Sequence, residues 1–320
     1  MVDHEDTAVY MDGRYIHWSE AKIHVSTHAF LYGTAVFEGV RAYWSEKQKR
    51  LNVWCLREHC DRLERNARMM GFDGAPTTDE LQKIIPTLLE KNGFEQDVYI
   101  RPVVYLGEGT VRVRPTAQKV KTLIFAFVLK KYFEKEGLRC MVSSWTRPPS
   151  SVLPPMGKVN GAYANSFLAS VEAQRAGYDE SIMLNQQGLV SEGPAENFMM
   201  VRKGTLVTPP LSADILDGVT REFLFTLARD LKIPVLERSI PRVELYAADE
   251  MFFCGTGVEI EPIVEIEGRK IGDGRPGPIT KKLQDAFNRA VRGEIASYRD
   301  RLTAVGPTNG RKKTKATVTA

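Results

Sequence analysis

Cysteine is scarce in this chain: four among 320 residues, at Cys55, Cys60, Cys140 and Cys254, with no Cys-x-x-Cys pair. That excludes a disulfide-stapled scaffold or a zinc ribbon, and a chain able to bury a large core is expected to keep its thiols reduced. Long apolar runs are also missing. The longest, residues 123–129, is far too short to span a bilayer, so no membrane partner is expected. The first six residues are acidic and polar, unlike a signal or transit peptide, and a cytoplasmic setting is expected. No Gly-x-Gly-x-x-Gly follows an expected strand and no Walker A motif occurs, which argues against the common nucleotide-binding folds. His4, His17, His24, His28 and His59 lack metal-ligand spacing; Val25-Ser26-Thr27, between the two that are four apart, favours an extended segment. No period of 20–50 residues recurs, which excludes a repeat array.

Charge of one sign is lacking too. The formal net charge of +4 comes from Arg311, Lys312, Lys313 and Lys315, all beyond Gly306; the remaining 40 basic residues balance 40 acidic ones. A nucleic-acid partner would need a basic face on the body itself, and none is expected. Residues 306–320 read as a disordered basic tail.

What is present is a succession of short strands and amphipathic helices. Two strand-like runs flank Asp12-Gly13, a hairpin signal, and residues 36–43 and 51–56 read as further strands. Residues 57–70 and 78–91 have helical spacing, the second opened by a Thr-Asp-Glu start. Residues 97–106 and 121–129 are β-like, and the charged, glycine-ended segment 130–137 reads as a linker. Beyond it come a strand at 138–144, a proline-rich loop, and a helix running to about residue 175. Two hairpins follow, turning at Gln186-Gln187 and Lys203-Gly204, then a helix at 220–231 and a last long helix at 279–301. Strands in both halves with helices outside them predict a two-domain α+β architecture. The expected boundaries are a small N-terminal α/β domain at 1–129, the linker at 130–137 and a larger C-terminal domain at 138–305.

The chemistry centres on Lys158, in Met156-Gly157-Lys158-Val159-Asn160-Gly161, with no acid among its near neighbours. A lysine in poorly solvated surroundings loses basicity and becomes an amine nucleophile, able to form a Schiff base with an aldehyde cofactor. A pyridoxal-type cofactor needs a phosphate anchor. Leu216-Asp217-Gly218-Val219-Thr220-Arg221 is a glycine turn entering a helix, whose amides and Thr220 hydroxyl suit an anion. Cys254-Gly255-Thr256-Gly257 is a second such turn, and Arg57, at a strand-to-helix junction, can contribute a bidentate contact. Glu192, in Ser191-Glu192-Gly193-Pro194-Ala195-Glu196-Asn197, can keep a pyridine nitrogen protonated, and Tyr163 can bond a phenolic oxygen.

These pieces resemble the class IV, fold-type IV pyridoxal-phosphate aminotransferases, most closely those acting on branched-chain amino acids. The resemblance covers nearly the whole chain. It rests on Tyr32-Gly33-Thr34-Ala35-Val36-Phe37-Glu38-Gly39-Val40-Arg41, Leu56-Arg57-Glu58-His59, Tyr99-Ile100-Arg101-Pro102 and Val142-Ser143-Ser144-Trp145. Lys158 with Tyr163, Gly177-Tyr178-Asp179-Glu180, the Ser191-to-Asn197 segment and the two glycine turns above follow in family order.

The resemblance implies a two-domain fold like that of the D-amino acid aminotransferases, with mixed sheets in a pseudo-barrel. It implies transamination of leucine, isoleucine and valine with 2-oxoglutarate. Lys158 would carry pyridoxal 5′-phosphate and, once displaced, move the proton between the substrate Cα and cofactor C4′. Glu192 would pair with the ring nitrogen and Tyr163 with the phenolic oxygen. Arg57, Val219, Thr220 and Thr256 would hold the phosphate. Thr256, Gly257 and Tyr99 would take the substrate α-carboxylate. Tyr32, Phe37 and Tyr132 would line an apolar pocket completed by a second subunit, so a homodimer is implied. Arg101 would receive the side-chain carboxylate of glutamate, and Arg41 belongs to the same substrate pattern. One departure stands out: the loop from Gly107 to Pro115, with Arg112 and Arg114, is bulkier and more basic than the glycine-rich loop usual there. The same scaffold also serves D-amino acid and amine transaminases and aminodeoxychorismate-type lyases.

Overall fold

The computed structural model describes residues 6–109, 111–114 and 119–306. The basic tail after residue 306 and part of the 107–115 loop therefore lie outside the described residues. Strands in the first half are β1 (Ala8–Met11), β2 (Arg14–His17), β3 (Ala35–Phe37), β4 (Val40–Ser45), β5 (Arg50–Trp54), β6 (Val98–Leu106) and β7 (Val120–Val128). The second half carries β8 (Leu138–Val142), β9 (Glu180–Ile182), β10 (Asn197–Arg202), β11 (Thr205–Thr208), β12 (Val235–Glu237), β13 (Glu250–Gly255), β14 (Glu259–Ile266), β15 (Arg269–Lys270) and β16 (Leu302–Val305). The helices are α1 (His28–Tyr32), α2 (Leu56–Met69), α3 (Thr78–Asn92), α4 (Tyr163–Arg175), α5 (Val219–Asp230) and α6 (Pro278–Val291).

Two eight-stranded sheets result, which is the expected α+β arrangement. The first runs β16-β5-β4-β6-β7-β1-β2, with β3 also on β6, and its pairings are all antiparallel. Asp12 and Gly13, both at positive φ, turn its first hairpin. The second runs β12-β11-β10-β13-β14-β8-β9 and is mixed, with parallel pairs at β11–β12, β14–β8 and β8–β9.

The core follows from strand and helix periods. Leu56, Cys60, Leu63 and Ala67 form the buried stripe of α2, and Leu81, Ile85, Leu88 and Leu89 that of α3, both packed on the first sheet. A Thr77–Glu80 capping box starts α3, with Glu80 accepting from Thr77 N–H and Thr77 Oγ1 accepting from Glu80 N–H. In the second sheet, β10 and β13 are buried on both faces. Met199, Val201, Phe252 and Cys254 meet α5 and α6, while Phe198, Met200, Met251 and Phe253 fill the opposite side. Each such phenylalanine or leucine contributes about 1.5–3 kcal/mol by leaving water.

Three local expectations differ from the fold. The strand expected at 36–43 is broken at Glu38-Gly39, because the Glu38 carboxylate turns inward to α2 and a Cβ at Gly39 would lie 1.9 Å from the Tyr99 hydroxyl. The helix expected at 279–301 ends at Val291. Gly293 takes φ +75° there, and a short 3-10 segment (Ala296–Arg301) returns Tyr298 to the core. Finally, β16 pairs antiparallel with β5, so residues 302–305 complete the first sheet although they follow the second in sequence.

Candidate active site

A cavity of about 230 Å³ lies between the two sheets, lined by Phe37, Tyr99 and Arg101 from the first, by Gly255 at the end of β13 in the second, and by Glu192, Thr256 and Gly257 from loops flanking the second sheet's strands. Lys158 is fixed at their junction by backbone bonds. Phe37 N–H donates to Lys158 O (3.0 Å), Val36 bridges to Val159, and Gly161 N–H donates to Gly33 O (3.1 Å). Gly33 takes φ +67°, and a Cβ on it would meet Gly161 Cα at 2.7 Å, so only glycine allows this contact. One 3-10 turn later α4 begins at Tyr163, which places the Tyr163 hydroxyl 2.8 Å from Lys158 Nζ. The amine also lies 4.9 Å from the Phe37 ring centroid and 5.4 Å from that of Tyr163.

At one end of the cavity Glu192 is buried, which pushes its carboxyl above the usual range, while Arg147 works to lower it. Arg147 Nη2 sits 2.7 Å from Glu192 Oε1, Asn197 Nδ2 donates to Oε2 (2.8 Å), and Leu216 N–H donates to the carboxylate (3.1 Å). Asn197 reaches it because residue 218 is glycine: a Cβ there would lie 1.9 Å from Asn197 Oδ1. Gly218 is also the N-cap of α5 and supplies no side-chain cap, so the first amides of this 12-residue helix lack a side-chain acceptor. Val219, Thr220, Thr256 and Gly257 line the same cavity.

Arg62 and not Arg57 reaches this helix start. Arg57 is exposed on α2, 3.8 Å from Asp61, and does not line the cavity. Arg62 is buried: Nε and Nη2 donate to Glu38 (2.6 and 2.8 Å) and Nη1 donates to Asp217 O (2.6 Å). Two further expected positions lie elsewhere. Arg41 is buried but turned away, bonding the Leu129 and Lys130 carbonyls (2.7 and 2.9 Å) and pairing with Glu259 (2.8 Å). Tyr32 is two-fifths exposed at the end of α1 and donates to the Val111 carbonyl. Arg101 lies 4.5 Å from the Phe37 centroid and 5.2 Å from that of Tyr99, and Nη2 donates to the Tyr99 hydroxyl (3.0 Å). Tyr132 lines the outer side of the cavity and is half exposed.

Arg62 and Arg147 are the residues that sequence reasoning passed over. For Arg62 the signal was available: on a helix it shares a face with His59 and Asn66, and a lone Glu38 interrupts an otherwise apolar strand run. Arg147 follows the Ser143-Ser144-Trp145 motif with no periodicity to mark it.

A lysine amine held at a phenol, in one cavity with a buried carboxylate and an uncapped helix start beside a buried arginine, defines an enzyme that handles amines on an anionic aldehyde cofactor. The amino-transferase class IV family model matches residues 35–266, and the chain belongs to that family. It is similar to the branched-chain-amino-acid aminotransferase of Escherichia coli (strain K12), 39% identical across 89% of this chain and 93% of that one. Among solved structures it is similar to the branched-chain aminotransferase of Thermoproteus uzoniensis with norvaline: 45% identity, TM-score 0.90, 93% and 99% coverage. It is likewise similar to the branched-chain amino acid aminotransferase of Thermobaculum terrenum in its PLP (holo) form, at 36% identity, TM-score 0.90, and 95% and 100% coverage.

Proposed function

We propose that this cavity transfers the amino group of leucine, isoleucine or valine to 2-oxoglutarate, using pyridoxal 5′-phosphate. The observation that carries the reading is Arg101 laid over Phe37 and Tyr99. One pocket then offers aromatic faces to an aliphatic side chain and a guanidinium to the carboxylate of glutamate. The chain is a pyridoxal-phosphate-dependent branched-chain aminotransferase.

The donor set fits the cofactor by its chemistry. The uncapped start of α5 with Arg62 suits a phosphate dianion, the Lys158 amine an aldehyde, and the buried Glu192 carboxylate a ring nitrogen. When bound, pyridoxal 5′-phosphate supplies the aldehyde that captures the amino group and the ring that accepts the electron pair released at Cα. Lys158 Nζ takes the proton from Cα and returns one to the product side, and Tyr163 keeps that amine aimed. Glu192 holds a proton at the ring nitrogen, with Arg147 and Asn197 fixing its orientation. Arg62, Val219, Thr220 and Thr256 hold the phosphate; Arg62 takes the place expected for Arg57. Tyr99 and the amides of Thr256 and Gly257 receive the α-carboxylate.

The acting unit is a homodimer. Val25, Phe30, Tyr32, Val111 and Val113 are exposed apolar side chains near α1 and its loop, suited to covering a partner and completing its pocket with Tyr32. The domain reading stays a proposal, a small N-terminal domain at 1–129, a linker at 130–137 and a larger domain at 138–305, with residues 302–305 paired to β5 of the N-terminal sheet. Four free, buried cysteines suit the reducing, cytoplasmic setting proposed here.

The deciding experiment is donor profiling with the bound cofactor spectrum followed. L-Leucine, L-isoleucine and L-valine should change it and 2-oxoglutarate should restore it. A response to D-amino acids or simple amines alone would instead place the enzyme with those transaminases.

A further inference from the structure

We propose that Glu38 and His59 are positioning residues for phosphate recognition, clamping Arg62 so that it presents one free N–H from each Nη to a phosphate monoester at the start of α5. The inference rests on the reading of Arg62 as the phosphate arginine. A guanidinium carries five N–H donors. Nε–H and one hydrogen of Nη2 go to Glu38 (2.6 and 2.8 Å), and one hydrogen of Nη1 goes to Asp217 O (2.6 Å). What remains is one hydrogen on each Nη, on a group that lines the cavity beside Gly218 and Val219.

Glu38 is itself fully enclosed. Burial works to raise its carboxyl, but Arg62 and then His59 more than reverse that and hold it well below the usual range. An ionised carboxylate only accepts, so His59 Nδ1 donates to Glu38 Oε2 (2.9 Å), which fixes the tautomer of a histidine buried on α2. Glu38 occupies the break between β3 and β4, flanked by the cavity residues Phe37 and Gly39. The clamp therefore ties the strand pair that shapes the side-chain pocket to the helix that offers the anion donors. A plain structural ion pair would hold β3 to α2 without distinguishing one ligand from another. A clamp on the guanidinium fork matters only to a ligand that carries the phosphate.

Apoprotein of the full chain is titrated with pyridoxal 5′-phosphate and, in parallel, with pyridoxal, following the absorbance change as each meets Lys158. Glu38→Gln should raise Kd for the phosphorylated ligand by about 10- to 100-fold and change pyridoxal by less than about twofold. Equal losses on both ligands, or none on either, would overturn the proposal. Arg62→Ala separates it from its premise. If that variant keeps its preference for the phosphorylated ligand, the phosphate role of Arg62 fails; if it loses the preference while Glu38→Gln keeps it, only the clamp fails. Should Glu38→Gln not fold, His59→Gln leaves the carboxylate–guanidinium fork intact. A phosphate-selective loss of about 3- to 10-fold is then expected, and an equal change on both ligands, or none on either, overturns the clamp.

Discussion

At the inner end of the cavity the charged groups are closely partnered: Glu192 by Arg147, Asn197 and Leu216, and Arg62 by Glu38 and Asp217. At the outer end Arg101 lies across two aromatic rings with a hydrogen bond to Tyr99, beside a half-exposed Tyr132. Groups that must stay put while electrons and protons move are held by networks, where removing one member leaves another buried without its partner. Arg101, proposed to serve an aliphatic chain in one half-reaction and a carboxylate in the other, is held mainly by ring faces, which tolerate both. Rigidity and adaptability sit in adjoining parts of one cavity because different interactions hold them.

The contrast can be broken by mutation. Lys158→Ala should retain a binding cavity but lose turnover by roughly 10⁴-fold in steady-state transamination, since the amine and the proton carrier go together. Near-normal rates would remove Lys158 from the centre of the chemistry. Glu192→Gln should lower kcat about 10²- to 10³-fold for leucine and glutamate alike, a uniform loss typical of the networked end. At the adaptable end the loss should be selective. Arg101→Ala should cost about 10- to 100-fold in kcat/KM for 2-oxoglutarate and far less for leucine. Matching losses on the two substrates would refute the shared pocket.

A smaller effect concerns pH. Burial, and then the charge of Glu180, push Glu196 from 4.5 up to about 8. The folded state keeps a proton that the unfolded state releases across that window, so stability falls as pH rises from about 4.5 to 8. Glu196→Gln should flatten that slope in thermal melts by roughly 2–4 °C, and an unchanged slope would assign it elsewhere. Smallest of all, Arg57→Ala should leave cofactor affinity within about twofold, as expected for an exposed pair with Asp61.

Much of this was legible in the sequence because single residues carried it. Lys158, Tyr163 and Glu192 are set apart by neighbours and spacing, and Gly218-Val219-Thr220 reads as a helix start without any tertiary knowledge. Arg57 was misleading for a reason of geometry. It is nearest the strand-to-helix junction, but the 100° step of α2 turns it to solvent and brings Arg62 inward with His59. Arg41 was misleading in another way, since its place in a motif says nothing about which side of β4 it faces. It anchors the 129–130 carbonyls and Glu259 instead. The break at Glu38-Gly39 and the return of β16 depend on partners far along the chain, namely Arg62, Tyr99 and β5, which no local pattern announces.

The pairing of β16 with β5 also bears on how the molecule is made. During synthesis β1 to β7 emerge with the outer edge of β5 bare, and Leu302 reaches its partner Trp54 only after the whole second sheet has left the ribosome. An open strand edge invites pairing with another chain. The first sheet is a unit in space but not in sequence, and its last seam can close only after the chain that carries the other half of the cavity has been made.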